Sequence, residues 1–180
     1  IINNNILFLN IFIMKNQNNK EENNFIKIVL EGIRIEIPSR KPLMLLKEEK
    51  GNRYLPIWIG LSEAYAIALE LEGYKPPRPM THDLMISLLS LLNTTIKKVS
   101  VNNLINNTFF AEITLMRKDE ILKLSARPSD AIAIAIRAKV PIFASRKVLN
   151  IASINIETVD DEIKRFKKFL ETVRPEDFKA

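Results

Sequence analysis

Residues 55–84, LPIWIGLSEAYAIALELEGYKPPRPMTHDL, hold the chain's only tryptophan, Trp58, and its only histidine, His82. The run reads as a strand, a helix, a stiff connector and the start of a second helix. Tyr54 to Ile59 is apolar and β-prone, and Gly60 breaks it. Ser62 is a good N-cap for a helix that continues through Ala64, Ile67, Ala68 and Leu71 to a stop at Gly73. In Lys75-Pro76-Pro77-Arg78-Pro79 three prolines fix φ, which predicts an extended connector. Thr81 is then placed to cap a helix whose first turn carries His82 and Asp83.

Outward from this block, the pattern on both sides is β. Ile26, Ile28 and Leu30 alternate with residues of the opposite face, and the alternation resumes after Gly32 as Ile33, Ile35 and Ile37. The apolar set changes parity at Gly32, so a bulge or tight turn there is needed to keep one face buried. Leu43 to Lys47 and Tyr54 to Ile59 form two strands around a turn at Gly51-Asn52. Downstream, Ile96 to Val101 and Phe109 to Met116 flank a polar connection, Asn102 to Thr108. Ile121 to Ala126 follows the charged turn Arg117 to Glu120. Pro128 opens a helix over Ala131 to Ala138 that is apolar nearly all round and so should be buried. Val140 to Ala144 is a short strand, and Asp160 to Val173 an amphipathic surface helix with a basic flank. Strands, helices, strands and helices in that order predict one α+β domain: a mostly antiparallel mixed sheet with helices packed on it.

The 180-residue length suits a single domain with tails. We divide it into a tail at 1–24, a domain at 25–156 and a C-terminal helix and tail at 157–180. The first 14 residues are apolar but broken by asparagines and too few to span a bilayer, which takes about 20. No positive charge precedes that run and no small-residue cleavage site follows it, so it does not read as a secretory signal. A tail that contributes nothing to stability, with Met14 as a plausible start, is the expectation, and with it a cytoplasmic protein that does not enter membranes. The absence of cysteine excludes disulfides, thiolate metal sites and Cys nucleophiles. One histidine excludes a His-cluster zinc site and leaves carboxylates, and hence Mg²⁺ or Mn²⁺, as the metal chemistry to consider. A net charge of +6 against 21 acidic residues permits a polyanionic partner without forming a dense basic stripe.

Chemistry on a phosphodiester needs an activated water, charge stabilisation on the phosphoryl oxygens and help for the leaving oxygen. The candidates are few. Glu63 and Glu70 stand seven residues apart on one helix face, about 10 Å, and either mark two ends of a site or are solvated acids. His82 is the side chain whose ordinary pKa suits proton transfer near neutrality, and Asp83 beside it is a candidate metal ligand. Both also suit a purely structural first turn. Arg127-Pro128-Ser129-Asp130 brings a guanidinium to a helix N-terminus, an arrangement that binds phosphate or, equally, closes into an Arg127–Asp130 clasp. Arg78, held among prolines, is a further phosphate contact. Glu63, Asp83 and Asp130 are thus the candidate metal ligands; Arg127, Arg78 and Ser129 are the candidate phosphate binders.

The ordered motifs LPIWIG, Glu63-Ala64-x-Ala66-Ile67 and Arg78-Pro79-x-Thr81-His82-Asp83-Leu84, followed by Ala126-Arg127-Pro128-Ser129-Asp130-Ala131-Ile132-Ala133, resemble the bifunctional nuclease family. The resemblance runs from about Phe25 to Ile156. It implies activity on both DNA and RNA and puts His82, Asp83, Arg127 and Asp130 inside the family's signatures. The family often has an acid two positions before the signature arginine, where this chain has Ser125. It also often has glycine where Asn93 stands, a residue that equally accepts left-handed backbone. The expected function is a nuclease of RNA and DNA with little sequence preference, catalysed by His82, Asp83, Asp130 and Glu63. A non-catalytic oligomeric module with an anion pocket is the alternative. In either case self-association, as a dimer or larger homo-oligomer, is expected, because the sheet has more apolar face than a few helices cover.

Overall fold

The structure, a computed structural model, describes residues 24–36 and 39–155. The expected tail and the helix expected at Asp160 to Val173 lie outside the described residues. Within them, β1 (Phe25–Ile35), β2 (Pro42–Glu48) and β3 (Arg53–Trp58) lead into α1 (Leu61–Leu71) and α2 (Thr81–Leu91). Then come β4 (Thr95–Ile105), β5 (Thr108–Arg117), β6 (Glu120–Ala126), α3 (Pro128–Ala138), β7 (Ile142–Ser145), α4 (Arg146–Ala152) and β8 (Ile154–Asn155). The strands form one eight-stranded sheet in the order β6-β5-β4-β7-β1-β2-β3-β8. Neighbours are antiparallel except β4 and β7, which run parallel after α3 has crossed back over the sheet. This is the α+β architecture expected.

The parity change at Gly32 is real and is resolved by a bulge. Leu30 faces Leu46 and Gly32 faces Leu45, so Glu31 is the extra residue, and Gly32 takes φ 147°, a backbone angle L side chains rarely adopt. Ile28 before the bulge thereby shares one core with Met44 and Leu46. Two further hairpins turn on residues with φ positive at both central positions, Asn106-Asn107 and Lys118-Asp119, the backbone of type I′ turns. The first corrects the expected Asn102–Thr108 connection. Asn102 and Asn103 belong to β4, where a second bulge between Val101 and Asn103 absorbs them, and only two residues turn the chain. The polar connector Lys75 to Pro79 is free of regular structure, with a bend at Pro77-Arg78.

Two of the three longer helices begin one or two residues before their expected starts, and the third begins where Pro128 was expected to open it. Gly60, not Ser62, is the cap of α1, and Met80, not Thr81, is the cap of α2. In α2 the reason is visible. Asp83, at the third helical position, accepts from the Met80 backbone N–H at 2.9 Å, doing from inside the helix what a Thr side chain does from outside. The α3 helix starts at Pro128 itself, with Arg127 as its cap. Left-handed residues close the helices. At the end of α1, Gly73 (φ 69°) lets the Tyr74 N–H reach Leu69 O at 2.9 Å. At the end of α2, Asn93 (φ 52°) lets Thr94 reach Leu89 O in the same way, as expected for that asparagine. Helix α4, capped by Ser145 accepting from Val148 N–H, was not anticipated from sequence. It presents only Val148 and Leu149 to the core, too few for a period to register.

Helix α3 is the centre of the helical layer. Ala131 to Ala135 are buried, and the helix packs on β4 and β5 on one side and on α1 and α2 along its flanks. Helix α1 in turn covers β1 and β2. The small side chains of α3 let three helices approach closely, which places their first turns together.

Candidate functional site

The first turns of α1, α2 and α3 meet in one ionic layer. Asp130, in the first turn of α3, accepts from Arg127 Nε at 2.7 Å and Nη2 at 3.0 Å, a bidentate pair. Arg127 Nη1 reaches across to Glu63 Oε1 in the first turn of α1 at 3.0 Å. From the first turn of α2, His82 Nε2 lies 3.4 Å from Asp130 Oδ1, with the imidazole almost buried. Gly60 has a local reason here: a Cβ at that position would collide with the Glu63 carboxylate that Arg127 holds.

A second layer lies two turns further along the same seam, about 10 Å at the helical rise per residue. Arg137 is the centre, seven residues after Asp130, and its side chain is only 5% exposed. Its Nε donates to Asp83 Oδ1 at 2.8 Å, Nη1 to Ala133 O at 3.0 Å and Nη2 to Ala66 O at 2.8 Å. Glu70, seven residues after Glu63, stands 3.9 Å from the same Nε. Because Glu63 meets Arg127 and Ala66 meets Arg137, α1 and α3 run side by side in the same direction. The α2 first turn bridges both layers, His82 in one and Asp83 in the other.

Of the expected residues, the structure therefore unites His82, Asp130, Arg127 and Glu63. Asp83 points elsewhere: both its oxygens are taken, by Met80 N–H and Arg137. Both readings of Arg127 and Asp130 had been open, and the clasp is present. With a neutral imidazole the first layer holds one cation and two carboxylates, so it is no bare anion pocket. Arg127 nevertheless remains 65% exposed and uses three of its five N–H donors. Ser129, in the first turn of α3, is buried. Arg78 is exposed on the connector and joins none of the ion pairs among the described residues. As for metals, no cluster of three or more metal-ligating side chains forms among the described residues. The two carboxylates on Arg127 are a partial donor set, of the kind that holds Mg²⁺ when phosphate oxygens and water complete the shell.

Arg137 is the residue sequence reasoning missed. Its signal was there: a lone cation inside an otherwise apolar helix, at the same seven-residue spacing that relates Glu63 to Glu70.

Each layer depresses one aspartate. Burial alone would raise Asp130, but hydrogen bonds from Arg127 and then His82 outweigh it and hold its pKa below the ordinary carboxylate value. Asp83 is likewise lowered, burial being outweighed by the Met80 N–H and by Arg137. A depressed folded pKa means the stabilisation is fully present above the unfolded value near 3.9, and is lost as pH falls below it toward the folded pKa. Denaturant unfolding at about pH 5 and about pH 3 checks this. Wild type should lose more stability across that interval than Asp130→Asn, and an equal loss would contradict the assignment.

Comparison with known proteins bears on the same residues. The family model described as bifunctional nuclease domain matches residues 44–157, which include both layers. An uncharacterized protein of Mycobacterium tuberculosis, MT1877, is 46% identical over 159 residues, 83% of this chain and 95% of that protein. Bifunctional nuclease 1 of Oryza sativa subsp. japonica is 24% identical over 109 residues, 59% of this chain and 33% of the plant protein. Bifunctional nuclease 2 of Arabidopsis thaliana is 28% identical over 103 residues, 55% of this chain and 31% of its own length. With the family model covering more than half of the sequence, the chain belongs to the bifunctional nuclease domain family.

Proposed function

We propose that this protein is a cytoplasmic nuclease that hydrolyses phosphodiester bonds in RNA and DNA, with the layer of His82, Asp130, Arg127 and Glu63 as its active site. The observation that carries the reading is the contact between His82 and Asp130 at the meeting of three helix first turns. A carboxylate that Arg127 holds ionised orients the one side chain suited to proton transfer near neutrality. His82 moves the proton, taking it from the attacking water or giving it to the leaving oxygen. The N–H groups that Arg127 does not spend on Asp130 and Glu63 face solvent and bind a phosphoryl oxygen. Glu63 and Asp130 are the side chains that would hold Mg²⁺ or Mn²⁺, and such an ion would supply the positive charge that a phosphate needs beside two carboxylates.

The competing reading, a non-catalytic module that merely binds a phosphorylated ligand, draws on the completeness of the Arg127 clasp. Assay of highly purified protein on end-labelled RNA and DNA, with and without EDTA, separates the two. His82→Ala should lower turnover about 100-fold or more while leaving nucleic-acid binding nearly unchanged. Full activity in that variant, or no activity in wild type, would overturn the nuclease reading.

Self-association belongs to the same proposal, and exposed apolar surface on α2 supports it. Leu84, Met85, Leu88, Leu91 and Leu92 are all exposed there, at helical spacing and with no cation among them. No helix among the described residues is long and apolar enough to cross a membrane. Light scattering at low micromolar concentration should give at least twice the 20.7 kDa chain mass. A monomer mass would remove this part of the proposal.

A further inference from the structure

We propose that the hollow beside the second ionic layer is a nucleobase subsite that takes guanine. The inference rests on the nuclease reading for the class of ligand and extends it to a part of the molecule that the proposed chemistry leaves unused.

The hollow, about 310 Å³, opens between the end of α1, the proline connector and the first turns of α2. That is the lower end of the range small-ligand sites occupy. Glu70, Asp83 and Arg137 line it together with Tyr74, Pro76 and Pro79. The acids are not equivalent. Each Asp83 oxygen already accepts a hydrogen bond, whereas Glu70 accepts no side-chain hydrogen bond among the described residues. Its nearest cations, Lys75 Nζ and Arg137 Nε, both stand 3.9 Å away, beyond hydrogen-bond reach. Its side chain is 18% exposed and lines the hollow, so its two acceptor oxygens are open to a ligand there. Tyr74 stands at the rim, 53% exposed, with its backbone fixed by the bond to Leu69 O that closes α1. Exposed aromatic rings of this kind stack on bases.

The polar pattern selects among bases. Guanine presents two adjacent donors, N1–H and the 2-amino group, which a carboxylate accepts through both oxygens, and beside them the acceptor O6. Adenine, cytosine and uracil each offer a single donor with an acceptor next to it on that edge, which would set a lone pair against Glu70. Lys75, on the far side of the Glu70 carboxylate, supplies a donor for O6. The spacing also suits a substrate. The two layers are about 10 Å apart, two helical turns, comparable to the reach from a phosphate across its sugar to the far edge of the base. A phosphate at Arg127 thus brings its own base to Glu70. The expectation of little sequence preference then gives way at one position.

Equilibrium binding of guanosine, inosine and adenosine 5′-monophosphates to the full chain tests this without reference to cleavage. Inosine keeps N1–H and lacks the 2-amino group. The guanosine nucleotide should bind about tenfold or more tighter than the adenosine one, with the inosine nucleotide between them. Glu70→Gln should erase the ranking without moving the thermal midpoint, and Tyr74→Ala should weaken all three alike. Equal affinities, no measurable guanosine binding, or a ranking that survives Glu70→Gln would overturn the proposal. A guanosine preference in a protein without nuclease activity would leave the subsite standing and remove only the catalytic reading. Cleavage without any guanosine preference would do the reverse.

Discussion

The side chain on which the helical layer depends is Arg137. A guanidinium placed out of water is costly unless all its directions are satisfied. Here two helix carbonyls, Ala66 O and Ala133 O, and the Asp83 carboxylate take its three nitrogens, one from each of α1, α3 and α2. The apolar contacts between these helices are non-directional and would tolerate a slide or rotation of α2. The planar fork of Arg137 would not, because it accepts its partners only in fixed directions. The position of the α2 first turn, and with it His82, follows from that constraint.

The consequence is a site made from parts far apart in sequence but simple in plan. Helices α1 and α3 lie side by side, with seven positions from Glu63 to Glu70 on one and from Asp130 to Arg137 on the other. The cluster of Glu63, Arg127 and Asp130 and the pair of Arg137 and Asp83 therefore form two rungs about 10 Å apart. The rungs differ in burial, and that difference divides their roles. Arg127 is largely exposed and has donors to spare for a ligand, whereas Arg137 is enclosed and holds structure. The small, buried residues Ala131, Ala133 and Ala135 of α3 keep the helices close enough for either rung to close.

Much of this was legible in residues 55–84 and the strands around them. The parity change at Gly32 required a bulge, and the αL position at Asn93 tolerated a non-glycine residue for a reason that single positions state plainly. The pairing of Arg127 with Asp130 was visible as one of two options because it is local, three residues apart. What was not legible is tertiary. Thr81 and Ser62 satisfy every local rule for a cap, yet the helices start one and two residues earlier. For α2, Asp83 supplies the cap interaction, and its other oxygen is claimed by Arg137 from 54 residues away. Asn102 and Asn103 read as a loop by composition, but a bulge lets a strand carry both. Arg137 looked like a charge on a helix, since nothing local announces that three chain segments will enclose it.

The central claim is that Arg137 and Asp83 act as a coupled pair in placing α2, and a double-mutant cycle measures that coupling most directly. Unfolding free energies of wild type, Arg137→Met, Asp83→Asn and the double variant would be compared at neutral pH. The account predicts that either single change is destabilising by about 2–3 kcal/mol or more, that the double variant costs far less than their sum, and that the coupling is about 2 kcal/mol. Additive effects, with a coupling within about 0.3 kcal/mol of zero, would contradict it.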